Sequence, residues 1–150
     1  MRRSIMVPLG LGALLVAGQA LRWPPTNPAE AGGPVAPPAV QETLQRACYD
    51  CHSNATRWPW YSTVAPVSWL LQRDVMEGRR RLNFSEWADY ASDPNTESQK
   101  LRDIVTRISA GDMAPWYYRL LHPSASLSDA DRTQLASWAA DEARHAATAN

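Results

Sequence analysis

Five consecutive residues constrain this chain more than any other part of it: Cys48-Tyr49-Asp50-Cys51-His52. The pattern C-x-x-C-H is the attachment sequence of a c-type haem. Each cysteine thiol would add to one haem vinyl group, and the adjacent histidine would bind the iron as its proximal ligand. The sequence contains only these two cysteines, so none remains for a separate disulfide or zinc framework. We therefore expect one covalent haem c, held by Cys48, Cys51 and His52.

Three other uses of a C-x-x-C pattern compete with haem attachment. A redox-active dithiol is expected near a βαβ pattern, whereas residues 40–47, just before the motif, read as a helix. A disulfide between Cys48 and Cys51 would close a very short loop and stabilise the fold little. Zinc would need two further ligands, and His122 and His145 stand far apart in the sequence. Haem attachment is the favoured interpretation, and the dithiol is its alternative.

The N-terminus carries an apolar run with a basic start. Arg2 and Arg3 precede the stretch 5–21, which is the arrangement of an export signal, and the small residues 18–20 would suit cleavage. The stretch also reaches the lower limit of the ~17–25 residues that span a bilayer. If it is uncleaved, the two arginines would hold the N-terminus in the cytoplasm. We expect residues 1–22 to be a signal peptide or an anchor to the inner membrane, and the rest to be periplasmic or otherwise extracytoplasmic.

The charge balance does not favour a nucleic-acid partner. The chain has 15 basic and 15 acidic residues, and a nucleic-acid-binding domain would present a basic face. One basic run stands out, Arg79-Arg80-Arg81. It favours the solvated last turn of a helix, where positive charge suits the helix dipole. A docking patch for an acidic redox partner is the alternative.

The spacing of apolar residues predicts an all-α fold. Residues 23–39 are rich in proline and are expected to form an extended linker, followed by a folded domain over residues 40–146. Within that domain the pattern predicts helices over 40–47, from Pro66 to Gly78, over 96–110 and from Ser128 past Trp138. A short turn capped by Asn83 or Ser85 is expected between the second and third of these. No segment shows a convincing strand pattern.

The sixth iron ligand has several candidates. Met113 follows the predicted helix stop at Gly111, and a loop can lay a thioether across the face of a haem. A methionine in that position would give a closed site suited to electron transfer. His122 and an open distal site are the alternatives. Met76 is expected to pack in the core, and His145 lies near the C-terminus.

Aromatic residues suggest further contacts with the cofactor. The chain has seven tryptophans, and an indole ring covers an apolar porphyrin well. Trp58 follows the proximal ligand closely, and Trp116 follows Met113, so both are candidate haem contacts. Arg57 is a candidate partner for a haem propionate. Ordinary packing is the alternative role for each of these residues.

The sequence resembles the bacterial haem-binding domain family of single-haem, exported proteins. The resemblance covers residues 40–138 and rests on these segments: Cys48 to Asn54, Thr56 to Tyr61, Ala65 to Trp69, Leu82 to Trp87, Gly111 to Tyr118, His122-Pro123 and Leu127-Ser128. It implies a cytochrome c-like helical domain, usually behind an N-terminal anchor. The family's usual Gly-Glu-Met-Pro-Pro-Trp reads Gly-Asp-Met-Ala-Pro-Trp over residues 111–116 here. The methionine is therefore retained, while the loop loses one proline.

These observations predict a monohaem c-type cytochrome that transfers single electrons outside the cytoplasm. It would be an electron carrier rather than an enzyme, with a redox partner protein and contact with a membrane through the N-terminal segment. The alternative is a haem enzyme or sensor with an open distal site, either peroxidase-like or gas-binding. A thiol–disulfide protein without haem is the third possibility.

Overall fold

The computed structural model describes residues 10, 12–13, 16–21 and 24–148, and over these residues it is helical with no strand. The predicted all-α class is confirmed. Residues 38–148 form seven α-helices: α1 Pro38–Ala47, α2 Tyr49–His52, α3 Val67–Arg81, α4 Trp87–Ala91, α5 Pro94–Ala110, α6 Trp116–Leu121 and α7 Asp129–Thr148. Three short 3-10 turns lie between them, at Trp60–Thr63, Phe84–Glu86 and Pro123–Ala125.

Local side-chain signals account for most of the helix ends. The Asp93 carboxylate accepts hydrogen bonds from the first free N–H groups of α5, so that helix begins two residues earlier than predicted. Gly111 ends α5 in the left-handed conformation, with φ of 72°. Ser128 and Asp131 bond each other's backbone N–H groups at the start of α7, which is a capping box. The short helix α6 has no counterpart in the sequence prediction.

The core lies where the long helices α5 and α7 pack along each other. Leu101, Ile104 and Ile108 of α5 face Leu135 and Trp138 of α7 in one buried cluster. The same cluster includes Val40 and Leu44 of α1, Phe84, Trp87, Ala139 and Ala143. Tyr49 of α2 stacks on Phe84, with ring centroids 5.4 Å apart. The segment that carries the cysteines is therefore packed directly against the core.

The proline-rich segment before α1 is extended and runs along the domain. The Asn27 amide donates to the carbonyl of Thr56 at 2.9 Å, and the indole N–H of Trp58 donates to the Asn27 side-chain oxygen at 2.9 Å. The N–H of Ala31 donates to the carbonyl of Ser85 at 2.8 Å, and Pro34 is buried. These contacts attach residues 27–34 to the helical domain.

Much of the predicted signal or anchor, residues 1–22, lies outside the described residues. Residues 16–19 are helical. In the part of the chain that the structure describes, no helix combines the length and the apolarity that a membrane crossing requires. Export and anchoring therefore stay predictions.

Candidate haem site

Helices α1 and α2 bring the two cysteines onto one side of the chain. Cys48 is the junction between the helices, and its carbonyl accepts hydrogen bonds from the N–H groups of Cys51 and His52 at 3.1 and 2.9 Å. Residues three apart on a helical turn are neighbours on its surface. The short helix therefore presents both thiols together, with the His52 imidazole directly after them.

The His52 ring is held in one orientation by two backbone carbonyls. Its Nδ1 lies 3.1 Å from the carbonyl oxygen of Gly78 and 3.1 Å from that of Leu82. Carbonyl oxygens only accept hydrogen bonds, so Nδ1 carries the proton and Nε2 carries the lone pair. Burial lowers the pKa of His52, which favours the neutral ring. A histidine that ligates a metal typically has this arrangement, since the partner of the second nitrogen fixes the tautomer.

The carbonyl of Gly78 reaches His52 because α3 packs directly against the backbone of α2. A Cβ built on Gly78 would lie 2.4 Å from the carbonyl oxygen of Cys51 and 3.0 Å from its carbon. No side chain fits in that space, so the position needs glycine. Gly78 thus determines how closely the helix that orients His52 approaches the cysteines.

A buried polar network holds the residues that follow the motif. Arg79 donates from Nε to the carbonyl of Ser53 at 2.8 Å and from Nη2 to the Thr56 hydroxyl at 2.9 Å. Asn54 donates to the carbonyl of Ala29 at 2.7 Å and accepts from the Asn83 amide at 2.9 Å. Ser53 and Asn54 are almost fully buried. Arg79 is half-buried, and its hydrogen bonds hold the segment after the motif in place. The prediction that it belongs to a solvated helix end is therefore wrong for this residue.

A cavity of about 480 Å³ opens in front of the two cysteines. Its wall contains Cys48, Cys51, His52 and Met113, the four residues predicted to hold the haem and its iron. Apolar parts of the wall come from Leu44, Leu82, Phe84, Ile104, Ile108, Pro115 and Leu127. Cofactor sites are typically concave, mainly apolar and ~300–1,000 Å³ in volume. The cavity has the character expected for a porphyrin site.

Met113 reaches the cavity through the turn that ends α5. Gly111 reverses the chain, and its N–H donates to the carbonyl of Ile108 at 3.2 Å. Arg132 also donates to that carbonyl, and Arg107 pairs with Asp112 at 3.1 Å. Met113 is half-buried in the cavity wall. The loop is therefore held directly before the methionine.

The rim of the cavity is basic. It includes Arg80, Arg81, Lys100 and Arg107, together with Asp50 and Asp103. Arg80 and Arg81 both bind the single carboxylate of Glu77. Lys100 donates to the carbonyl of Arg81 at 2.7 Å, and no described carboxylate lies within ion-pair distance of it. The wall therefore has a surplus of positive charge.

Three of the predicted cofactor contacts lie outside the wall of this cavity. Arg57 binds the Asp50 carboxylate through two nitrogens, at 3.2 and 3.1 Å. Trp58 is turned to Asn27, as described above, and the Trp116 side chain is 67% exposed. Their roles as haem contacts stay predictions, and none of the three side chains lines the cavity.

The other candidate ligands are also turned away. The ring of His122 stacks on Tyr118 with centroids 4.1 Å apart, and its Nε2 is hydrogen-bonded to the Tyr61 hydroxyl. Met76 is 67% exposed, so the expectation that it packs in the core is wrong, because it lies on the outer side of α3. His145 is exposed on α7. Of these candidates, Met113 alone lines the cavity.

The two thiols are poor candidates for redox chemistry. Burial, reinforced by neighbouring negative groups, raises the pKa of Cys48 and of Cys51 to about 12. Reactive dithiols have lowered pKa values, because the thiolate is the nucleophile. Neutral thiols in an apolar wall instead suit conversion to thioethers, which carry no charge.

The residues around the cavity fit a covalently attached haem. Two adjacent thiols, an imidazole with its lone pair on Nε2, a thioether in the same wall and an apolar surround are the donor set that such a group needs. Comparison with known families agrees, because residues 15–141 match the family described as "Haem-binding domain". The chain belongs to the haem-binding domain family. No curated protein and no solved structure matches it.

Membership of the haem-binding domain family confirms the resemblance predicted from the sequence and establishes haem binding. The match extends beyond the predicted 40–138 and includes the proline-rich segment. That extension agrees with the hydrogen bonds from residues 27–31 to the helical domain.

Sequence reasoning missed the basic rim of this haem-binding domain. Lys100, Asp103, Ile104 and Arg107 share one face of α5, at spacings of three, four and seven residues. That periodicity was visible in the sequence, where three of these four residues are charged and one is apolar. Which side of the helix faces the cavity depends on its packing against α4 and α7, and no local sequence pattern reports such packing.

Proposed function

We propose that this protein is a monohaem c-type cytochrome that carries single electrons outside the cytoplasm. The observation that carries the proposal is that both cysteines, His52 and Met113 line one cavity, with the His52 proton committed to Nδ1. A bound haem supplies the one-electron redox chemistry. The polypeptide has to attach it, orient it, exclude water from it and set its potential.

Cys48 and Cys51 have the role of covalent attachment. Each S–H would add across a vinyl C=C bond, so the sulfur gains a C–S bond and the proton goes to the neighbouring carbon. The addition is not a redox step, and it needs the thiols in their reduced form. His52 would hold the iron through Nε2, and the carbonyls of Gly78 and Leu82, which accept from Nδ1–H, would raise the basicity of the ring.

Met113 is the proposed distal ligand. Its loop position and its place in the cavity wall support this role, whereas His122 is occupied by Tyr61 and Tyr118. A histidine–methionine pair raises the reduction potential and closes the iron to substrates, which suits an electron carrier rather than an enzyme.

The basic rim supports binding of the two haem propionates. Lys100 has the strongest case, because its ammonium group lacks a described carboxylate partner and lies beside the cavity. Arg80 and Arg81 share one carboxylate, which leaves hydrogen-bonding capacity on each guanidinium. The predicted Arg57 contact is less well supported, since that side chain is bound to Asp50.

The proposal is tested by producing the full chain in a bacterial host with haem-attachment machinery. We expect a coloured protein that keeps its haem on a denaturing gel, with a low-spin spectrum and a weak methionine-to-iron charge-transfer band in the far red. Colourless protein with the mass of the bare polypeptide would contradict the cofactor assignment. A high-spin ferric spectrum, together with rapid binding of carbon monoxide once the protein is reduced, would favour the haem enzyme or sensor instead.

The ligand assignment needs a matched pair of variants. Met113→Ala should abolish the charge-transfer band and admit carbon monoxide, while Met76→Ala should leave both unchanged, because Met76 is exposed on the outer side of α3. If the band survives in Met113→Ala, another residue is the distal ligand. His122→Ala then identifies or excludes the remaining histidine candidate.

A further inference from the structure

An exposed apolar surface lies at the end of the domain where the N-terminal segment arrives. We call it the apolar face, and it consists of Trp60, Val64, Val67, Trp69, Leu70, Trp116, Tyr117, Leu120 and Leu121. Trp60 is 80% exposed, and Leu120 and Leu121 are 70% and 65% exposed. Single exposed apolar residues are ordinary, but a group of large ones marks an interaction site.

Three elements that contact one another contribute to the apolar face. The Tyr117 hydroxyl donates to the Asp74 carboxylate at 2.8 Å, which ties α6 to α3. The Tyr61 hydroxyl is bonded to His122, which ties the 3-10 turn at Trp60–Thr63 to the end of α6. That turn also packs against the start of α3. Hydrogen bonds and packing therefore hold the three elements that carry these apolar residues together.

The N-terminal segment joins the domain at the apolar face. The Gln19 side chain exchanges two hydrogen bonds with the backbone of Ala65, at 3.2 and 3.1 Å. Gly18 packs against the Trp69 ring, since a Cβ on Gly18 would lie 3.3 Å from it. Both residues belong to the apolar stretch 5–21, which the sequence predicts to be part of an export signal or a membrane anchor.

The chemistry of the apolar face fits a lipid surface. Tryptophan and tyrosine concentrate at the level of lipid headgroups, with leucine below them. Arg73 lies one turn from Leu70 on α3, is exposed, and has no described carboxylate within ion-pair distance. Such an arginine suits a lipid phosphate.

We infer that the apolar face lies against the bilayer, so that the haem-binding domain rests on the membrane surface rather than at the end of a free tether. The partner is a phospholipid surface, with the indole rings of Trp60 and Trp116 among the headgroups. The inference extends the membrane anchor that the sequence predicts, and it does not depend on haem binding.

The test measures the depth of two spin labels on the full chain. Haem attachment converts Cys48 and Cys51 to thioethers, so a cysteine introduced by Leu120→Cys is the only site for a nitroxide label. Val35→Cys is the control, because Val35 is 94% exposed and lies on the side of Trp87 and Trp138. Each protein is reconstituted into vesicles of equal parts phosphatidylcholine and phosphatidylglycerol.

Collision of the label with oxygen and with a water-soluble nickel chelate reports its depth. We expect the oxygen-to-nickel collision ratio of Leu120→Cys to exceed that of Val35→Cys severalfold. Equal ratios at the two positions would overturn the inference. Spin–spin broadening at Leu120→Cys that grows with the protein-to-lipid ratio would show that a second copy covers the face, which also overturns it.

Two further samples separate this result from other failures. Trp60→Cys repeats the measurement on another element, in case Leu120→Cys does not fold. The parent chain takes up label only if Cys48 and Cys51 are free, so its labelling reports failed haem attachment. In that event the same labels are read on a background with both cysteines replaced by alanine, and the depth comparison still decides the inference.

Discussion

Replacement of Gly78 by alanine tests how the proximal histidine is positioned. The added Cβ would lie 2.4 Å from the carbonyl oxygen of Cys51, whereas a carbon and an oxygen need roughly 3.3 Å. Helices α2 and α3 must then separate by about 1 Å. That shift would stretch both 3.1 Å contacts of His52 Nδ1 beyond ordinary hydrogen-bond length.

The free-energy terms of Gly78→Ala oppose one another. Forcing an extra methyl group into a packed site costs about 2 kcal/mol, and weakening the shared hydrogen bond of His52 costs about 1 kcal/mol more. Alanine is the better helix former by about 1 kcal/mol. We therefore expect the free energy of unfolding to fall by about 2 kcal/mol, even though glycine-to-alanine changes in an open helix are stabilising.

Urea unfolding of the holoprotein measures this change, and the absorption spectrum of the folded variant reports the axial ligation. Met76→Ala, on the exposed side of the same helix, should change the free energy of unfolding by less than about 0.5 kcal/mol. A Gly78→Ala protein as stable as the parent, with an unchanged spectrum, would refute the argument that the close approach of α2 and α3 orients His52.

Three other predictions concern stability and are measured by urea unfolding. The hydrogen-bonded Arg46 lowers the pKa of Asp131 from 3.8 to about 2, so their pair stabilises the fold above pH 3.8 and this contribution is lost as the pH falls towards 2. Asp131→Asn should lower the free energy of unfolding by about 1 kcal/mol at neutral pH and leave it unchanged near pH 2. An equal loss at both pH values would exclude the ion pair as the cause. Arg79→Met should lower the free energy of unfolding by about 2 kcal/mol, since it removes the donor to a buried carbonyl. The control Arg144→Met, in an exposed ion pair, should lower it by less than about 0.5 kcal/mol, and equal losses would count against the buried network. Gly111→Ala should lower the free energy of unfolding by about 1 kcal/mol, because Gly111 has a left-handed φ of 72° that alanine disfavours. An unchanged free energy of unfolding would mean that the turn adopts another conformation in the variant.

Signals that act within a few residues predicted much of the fold. Pro66, Gly111 and the Ser128–Asp131 pair marked helix ends that the structure has, because a cap or a left-handed turn depends on one or two side chains. The C-x-x-C-H motif was recognised from its spacing alone, and the structure places its last four residues in a single helical turn that the helix prediction did not include. The predicted starts of α1 and α5 were each two residues too late, because the helices begin at Pro38 and Pro94.

Features that depend on distant contacts could not be predicted in this way. The orientation of His52 comes from Gly78 in α3 and from Leu82 just after it, 26 and 30 residues further along the chain. Arg57 and Trp58 are near the motif in sequence, but they bind Asp50 and Asn27, and neither side chain lines the cavity. The basic rim depends on which face of α5 is turned towards the cysteines. Proximity in sequence was a poor guide to proximity in space for these side chains.

The hydrogen bonds made by the proline-rich segment determine how far this protein can be truncated from its N-terminus. Arg79 donates to the carbonyl of Thr26 and to the Asn27 side chain, and Asn54 donates to the carbonyl of Ala29. A recombinant fragment that starts at residue 40 would remove these acceptors and leave Arg79 and Asn54 without them, next to the C-x-x-C-H motif. A fragment for crystallisation or spectroscopy should therefore retain the chain from residue 24 onward.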